Sequence, residues 1–258
     1  MSCTSAKAAL AHQTTSRRSI LPTLARLSTS LNQKHPFTTS VTPTALYAAL
    51  PSTLRGSQHD PHEILLHIIA VNPSSSFSHA FTGATSTHRT WGQCATATIT
   101  NDTLTVLNLP AFRQHDRNNS PTSLPRLLTN LASSQPLDCK VCHHPHATER
   151  TTVSTAPRCF VINLMRYKST LVKSFRRITY PLSWAPQTQS HTHDLIGVVR
   201  HLRTSFHRGH YVAHVKESDG IWFMCDDSRI TVTTELHALN PGQLNDCPCL
   251  LFYQMRNI

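Results

Sequence analysis

Apolar residues recur at helical spacing up to Val71 and alternate in strand-like fashion over most of the remaining chain. Ile20, Leu24, Leu27 and Leu31 mark one helical stripe, and Ala45, Leu46, Ala49 and Leu50 mark a second. A third helix is predicted over Glu63 to Val71, where Ile64, Leu65, Ile68 and Ile69 form the apolar face and Pro61 stands near the first turn. Asn72 to Ser78 reads as a Ser-rich break. From Phe81 to Leu109, Thr96, Thr98 and Thr100 alternate with Ala97 and Ile99, the two-residue period of strands. Residues 113–136, rich in Asn, Ser, Pro and Leu, read as a variable linker with one short helix. Everything after Cys139 is predicted to be rich in strands, with Leu195–Val199, Tyr211–Val215 and Cys249–Tyr253 buried.

Composition narrows this picture only a little. The 258 residues suffice for a sizeable core, as one large domain or two small ones. No stretch of about 18 apolar residues occurs, so no membrane-spanning helix is predicted and no membrane partner is expected. Eight cysteines, several inside apolar strands, point to a reducing compartment, cytoplasm or nucleus, and not to a disulfide scaffold. The chain reaches His59 without any Asp or Glu, while carrying Arg17, Arg18, Arg26 and Arg55 among many Ser and Thr. That is the composition of a mitochondrial transit peptide, and such targeting stays open. The two helical stripes in the same region favour a folded helical lobe.

Charge adds a second partner class to weigh. Lys and Arg number 24 against 13 Asp and Glu, a net charge of +11 with His neutral, and between Arg158 and Arg208 the sole acid is Asp194. Such a surface attracts polyanions. The basic residues are scattered, however, without a helix-turn-helix, ribonucleoprotein box or basic zipper, so no specific nucleic-acid partner is predicted.

The densest chemistry lies between Arg208 and Asp227. Gly209-His210-Tyr211 opens the strand that runs to Val215, and Trp222-Phe223 leads into Asp226-Asp227. A histidine at the head of a hairpin that ends in a carboxylate forms a base with its orienter. The acid accepts from one ring nitrogen and fixes the tautomer, leaving the other nitrogen to take a proton from a nucleophile. Gly209 lets backbone or substrate pass close to the ring, which a Cβ would obstruct. With 18 histidines in the chain, an ordinary core histidine is the competing reading for any one of them.

Other segments lift His210 above that alternative. Gly209-His210-Tyr211, Trp222 to Asp227 and Leu250-Leu251-Phe252-Tyr253 resemble, in order, three boxes of the ubiquitin-specific protease family of cysteine proteases. Phe160 to Tyr167 is similar to that family's apolar strand ending in Leu-x-Arg-aromatic, and Ile178 to Leu182 to its aromatic-Pro-Leu segment. Gln58-His59-Asp60-Pro61-His62-Glu63 is similar to its Gln-x-Asp-x-His-Glu box, which opens a helix. The resemblance implies an α+β fold, a papain-like hand. Residues 1–79 would form part of a helical thumb, 80–157 β-fingers and 158–258 a β-palm. It also implies a deubiquitinase that hydrolyses the bond after the C-terminal glycine of ubiquitin, with ubiquitin or ubiquitinated proteins as partners. Asp226 would orient His210, with Asp227 as second choice. Gln58, Asp60, Glu63 and Tyr211 would bind the basic ubiquitin tail. Helix capping is the competing role for Asp60 and Glu63.

The nucleophile and the metal site match less fully. Upstream of Gln58 the one cysteine is Cys3, where the family has its nucleophile at a helix N-terminus. The family's preceding Asn-x-Gly-Asn-Thr-like loop has no counterpart here, and Ala6 stands where the family has Asn. Two readings therefore stay open: Cys3 is the nucleophile, or the sequence starts inside the domain. The competing functional reading is a catalytically impaired ubiquitin-binding or scaffold relative of the same fold. Cys139-Lys140-Val141-Cys142 has the spacing of a zinc knuckle. The family's second pair here reads Trp91-Gly92-Gln93-Cys94, so Cys94, Cys139 and Cys142 are the expected ligands of a structural zinc. His88, His143, His144 and His146 are the candidates for a fourth position. No catalytic cofactor is expected.

Overall fold

The computed structural model describes residues 20–32, 43–56, 59–92, 94, 96–112, 120–129, 131–168, 172–186, 191–202, 209–240 and 246–256. Helices come first, as the apolar spacing predicts: α1 (Ile20–Asn32), α2 (Thr44–Ala49) and α3 (Pro61–Ala70). Asp60 caps α3, accepting from the His62 N–H at 2.9 Å with Pro61 in the first turn. The Ser-rich break is in part helical. Ser76–Ala80 forms a short helix, α4, capped by the Ser75 hydroxyl, and Phe77 at its start is fully buried. One aromatic anchor there outweighs a local composition typical of loops.

Two sheets follow. The smaller one has the order β2-β1-β5-β4, built from β1 (Gly83–Thr90), β2 (Ala97–Leu104), β4 (Ala132–Pro136) and β5 (His146–Thr155), all antiparallel. The larger one contains β3 (Leu107–Pro110), β6 (Cys159–Met165), β7 (His193–Leu202), β8 (His210–Lys216), β9 (Trp222–Asp226), β10 (Arg229–Thr233) and β11 (Cys247–Met255). Its order is β10-β9-β8-β7-β11-β6-β3, with Ser183–Trp184 pairing on β7 as an eighth strand. Only β3 runs parallel to its neighbour, β6. β3 lies within residues 80–157, so that stretch is not a continuous finger: the chain leaves the small sheet at Leu104, touches the large one, and returns. The expected linker contains helix α5 (Leu124–Thr129) and strand β4.

Two apolar layers hold the large sheet. One face packs on the helical lobe, where Val161, Leu250 and Cys159 meet Ile20, Leu21, Leu24, Leu65, Ile68, Ile69 and Phe77. The alternate residues Phe160, Ile162, Leu164, Leu251 and Tyr253 face a second cluster with Leu109, Leu124, Leu127, Leu195, Val198 and Trp222. Strands buried on both faces read as continuous apolar runs, which is why β6 and β11 stand out in the sequence.

Polar residues tie the second layer together. Helix α6 (Glu235–Leu239) covers the sheet beside β7, with Ala238 fully buried. Arg200 on β7 is 0% exposed. It donates to Asp246 at 2.9 Å and to the carbonyls of His237 and Ala238 at 2.9 and 2.5 Å. These carbonyls lie in the last turn of α6, where no intrahelical donor reaches them and a cation complements the helix dipole. Arg200→Met keeps the length of the side chain but leaves Asp246 without its buried cation. It is expected to cost about 3 kcal/mol, measured as a lower urea midpoint with an unchanged slope.

Candidate active site

The hairpin β8–β9 sets antiparallel pairs from Ala213 with Cys225 to Lys216 with Trp222. At its open end it brings His210, the first residue of β8, against Asp226, the last of β9. Nε2 of His210 lies 2.5 Å from Oδ1 of Asp226. Both side chains are partly open to solvent, 32% and 39% exposed. An acceptor-only carboxylate at Nε2 places the proton of the neutral imidazole there and leaves Nδ1 with its lone pair outward, as a base requires. Asp226 is thus the acid in hydrogen-bond contact with the His210 ring. Asp227 lies in the two-residue turn to β10, in the left-handed region at φ 50° and exposed. Its carboxylate stays within 4.8 Å of the other two groups.

A second group of side chains surrounds Tyr211. Its ring lies 4.7 Å from that of His201 on β7, and the Tyr167 hydroxyl meets His201 Nδ1 at 3.3 Å. Burial, then the negative charge of Asp60, pushes the Tyr211 hydroxyl well above its usual range. Burial likewise raises Tyr167 to about 12, with Cys247, Cys249 and Asp60 adding to the shift. Asp60 therefore exerts its field on both tyrosines while capping α3. Glu63, exposed in the first turn of α3, sits 3.6 Å from His59. The group that lies closest to Gly209 is the His201 ring. Sequence reasoning missed His201; its one signal was an apolar strand ending in histidine shortly before Gly209. Gln58 and Cys3 lie outside the described residues.

The cysteine cluster sits at the end of the small sheet. Cys94 lies in the β1–β2 connection, and Cys139 and Cys142 lie on the turn between β4 and β5. The three sulfurs lie within 4.8 Å of one another, with Cys94 and Cys139 at 3.5 Å. Backbone N–H groups converge on Cys139, that of Val141 at 3.4 Å, and the N–H of Cys142 chiefly pulls this thiol down to about 6. Despite a backbone bond from His144, Cys142 is pushed up by the Cys94 sulfur, by burial and by Cys139. Among the described residues no histidine joins the cluster; His144 Nδ1 instead meets the His146 carbonyl at 2.9 Å. Trp91, standing where a fourth thiol would come, is 6% exposed, packs with Cys139 and Ala147, and donates to the Leu137 carbonyl at 2.9 Å. An indole thus ties the β1 end to the knuckle by packing and one hydrogen bond.

Comparison with known proteins bears on this arrangement. The profile of the ubiquitin carboxyl-terminal hydrolase family matches residues 2–253. Ubiquitin carboxyl-terminal hydrolase 23 of Arabidopsis thaliana is 28% identical over 134 residues, 46% of this chain and 16% of the relative. Ubiquitin carboxyl-terminal hydrolase 10 of Saccharomyces cerevisiae is 28% identical over 111 residues, 39% of this chain and 14% of the relative. The SAGA DUB module of Ubp8, Sgf11, Sus1 and Sgf73 bound to monoubiquitin superposes with a TM-score of 0.72 at 21% identity, covering 94% of this chain and 60% of that one. The same module bound to ubiquitin aldehyde gives 0.72 at 20% identity, covering 100% and 69%. The papain-like hand of these proteins is the fold of this chain. The matched segments are a small part of the curated relatives' length.

If Asp226 sets the His210 tautomer, side-chain nitrogen NMR of the neutral ring should show a protonated Nε2 and a bare Nδ1. In Asp226→Ala that preference should fall to a mixture of tautomers. A wild-type ring protonated at Nδ1 would show that the pair is oriented otherwise.

Proposed function

The chain belongs to the ubiquitin carboxyl-terminal hydrolase family, and on that premise we propose that it is a cysteine-type deubiquitinase. It would cut the bond after the C-terminal glycine of ubiquitin. The observation that carries this reading is the His210–Asp226 pair at 2.5 Å, with Nε2 turned to the acid and Nδ1 left for a thiol. Cys3 is the proposed nucleophile. His210 Nδ1 takes the thiol proton as sulfur bonds to the glycine carbonyl carbon, then gives it to the leaving lysine amine as the C–N bond breaks. Water next attacks the thioester, with His210 accepting its proton, and the ubiquitin carboxylate leaves as the thiol is restored. Asp226 stabilises the charged imidazole in both halves.

Substrate binding follows from charge and ring geometry. Asp60 on the α3 cap and the Tyr211 face would border the channel for the basic ubiquitin tail, with Gln58 and Glu63 beside it. The single field linking Asp60 to Tyr167, His201 and Tyr211 supports this placement. A carboxylate gains most when it meets a cationic peptide in such a partly dry cleft.

Cys94, Cys139 and Cys142 would hold a structural zinc ion. Tetrahedral Zn–S bonds of about 2.3 Å need sulfurs about 3.5–4 Å apart, and the Cys94–Cys139 separation of 3.5 Å fits. The ion would cross-link the β1–β2 end to the β4–β5 knuckle and take no part in the chemistry.

A ubiquitin carrying a C-terminal electrophile tests the enzyme. Covalent labelling should vanish in Cys3→Ala and fall about 10²-fold or more in His210→Ala, since the thiol then lacks its base. Labelling that persists in Cys3→Ala would identify another cysteine as nucleophile. Tight binding of unmodified ubiquitin without labelling would make the chain a binder. For the metal, elemental analysis should find about one zinc per chain in the wild type and none in Cys139→Ser. Zinc-free wild-type protein with an unchanged melting point would leave the knuckle a purely packed turn.

A further inference from the structure

The Gly209–His210 step rests on a second imidazole. A Cβ placed on Gly209 would lie 1.6 Å from Nε2 of His201, 2.5 Å from its Cδ2 and 2.8 Å from its Cε1. The edge of that ring therefore abuts the Gly209 backbone, with no room for any side chain. Nor can the ring swing aside. His201 is 3% exposed, the Tyr211 ring lies tilted against it at 4.7 Å, and the Tyr167 hydroxyl meets Nδ1. Its carbonyl accepts from Lys173 Nζ at 3.0 Å. In the β7–β8 register His201 stands opposite Tyr211 and Leu202 opposite His210. The buried ring thus occupies the strand position adjoining that of the base.

We propose that His201 is a positioning residue: wedged beneath Gly209, its ring fixes the backbone from which His210 projects and so aligns Nε2 with Asp226. The role differs from plain core filling because the contact ends on the one residue that precedes the base. Neutrality supports it. Burial, then the Lys173 charge, draws His201 down to about 4, so the ring carries no charge at working pH and needs no counter-ion. With Nδ1 turned to the Tyr167 hydroxyl, the Nε2 edge is the one that meets Gly209. The proposal rests on His210 as the base, and a readout of His210 geometry separates it from the question of activity.

The test exchanges volume across the contact in the full chain, reading the side-chain Nε2–H resonance of His210 in nitrogen-labelled protein, with thermal melting as the fold control. Gly209→Ala should lose the resonance, because the new methyl displaces either the ring or the backbone. Gly209→Ala combined with His201→Ala should regain it, the methyl filling the space the ring leaves. His201→Ala alone should melt as a folded protein with the resonance broadened. Electrophile labelling should follow the same order, falling on the order of 10²-fold in Gly209→Ala, as expected for a small misplacement of a catalytic group. An unchanged resonance in Gly209→Ala or in His201→Ala would overturn the proposal, as would a folded double variant that fails to regain it. A His201→Ala chain that does not fold would make the residue structural and overturn it as well. Should the resonance follow the expected order while no variant labels, the positioning role stands and the deubiquitinase reading fails.

Discussion

The whole arrangement depends on two neighbouring strands being buried on both faces. β6 and β11 pair through Leu250 with Asn163 to Gln254 with Cys159, and their side chains alternate between the helical lobe and the layer beneath α5 and α6. A slip of one residue would exchange Val161 with Phe160 and Leu250 with Leu251 between two cores of different shape. Register is therefore strongly specified at the centre of the sheet. β7 inherits it from β11, β8 from β7 and β9 from β8. The His210–Asp226 pair lies at the end of that chain of pairings, so its geometry is set by packing well inside the sheet.

Towards the outer strands apolar packing thins and polar ties take over. Ile230 and Val232 on β10 are exposed, whereas α6 is locked to β7 through Arg200 and to Tyr180, whose hydroxyl donates to the Ala238 carbonyl at 2.9 Å. His210 and Asp226 are partly exposed, so they are not fixed by deep burial. Rings and backbone do this instead: Tyr211 and His201 on one side, the tight Asp227 turn on the other. The turn also separates the two acids chemically. Asp226, still in the strand, contacts the ring, while Asp227, in a left-handed conformation, lies beyond the last paired residue.

In the small sheet a comparable exchange of interactions has taken place at one position. Cys94, Cys139 and Cys142 converge as metal ligands do, and the N–H groups of Val141 and Cys142 already stabilise the Cys139 thiolate. Trp91 contributes buried area and a hydrogen bond to Leu137 where a fourth sulfur would give a metal bond. Packing and that hydrogen bond hold the knuckle beside its three sulfurs.

Much of this was legible in the one-dimensional pattern. Continuous apolar runs marked the doubly buried strands, helical spacing marked α1 to α3, and a Gly-His-Tyr head followed by an Asp-Asp tail marked the histidine and carboxylate that meet. Those signals are local, or repeat at the period of one element. What the order of residues could not disclose depends on strand neighbours distant in sequence. Examples are the return of Leu107–Pro110 to the large sheet, the buried helix around Phe77 in a Ser-rich stretch, and the identity of the ring against Gly209. The sequence by itself determined which residues could serve as base, acid and thiolate cluster, because those roles follow from side-chain chemistry. Tertiary structure alone decided that Asp226 and not Asp227 faces the imidazole, and that Gly209 makes room for His201. Both depend on a hydrogen-bonded register that brings residues from separate strands within a few ångströms.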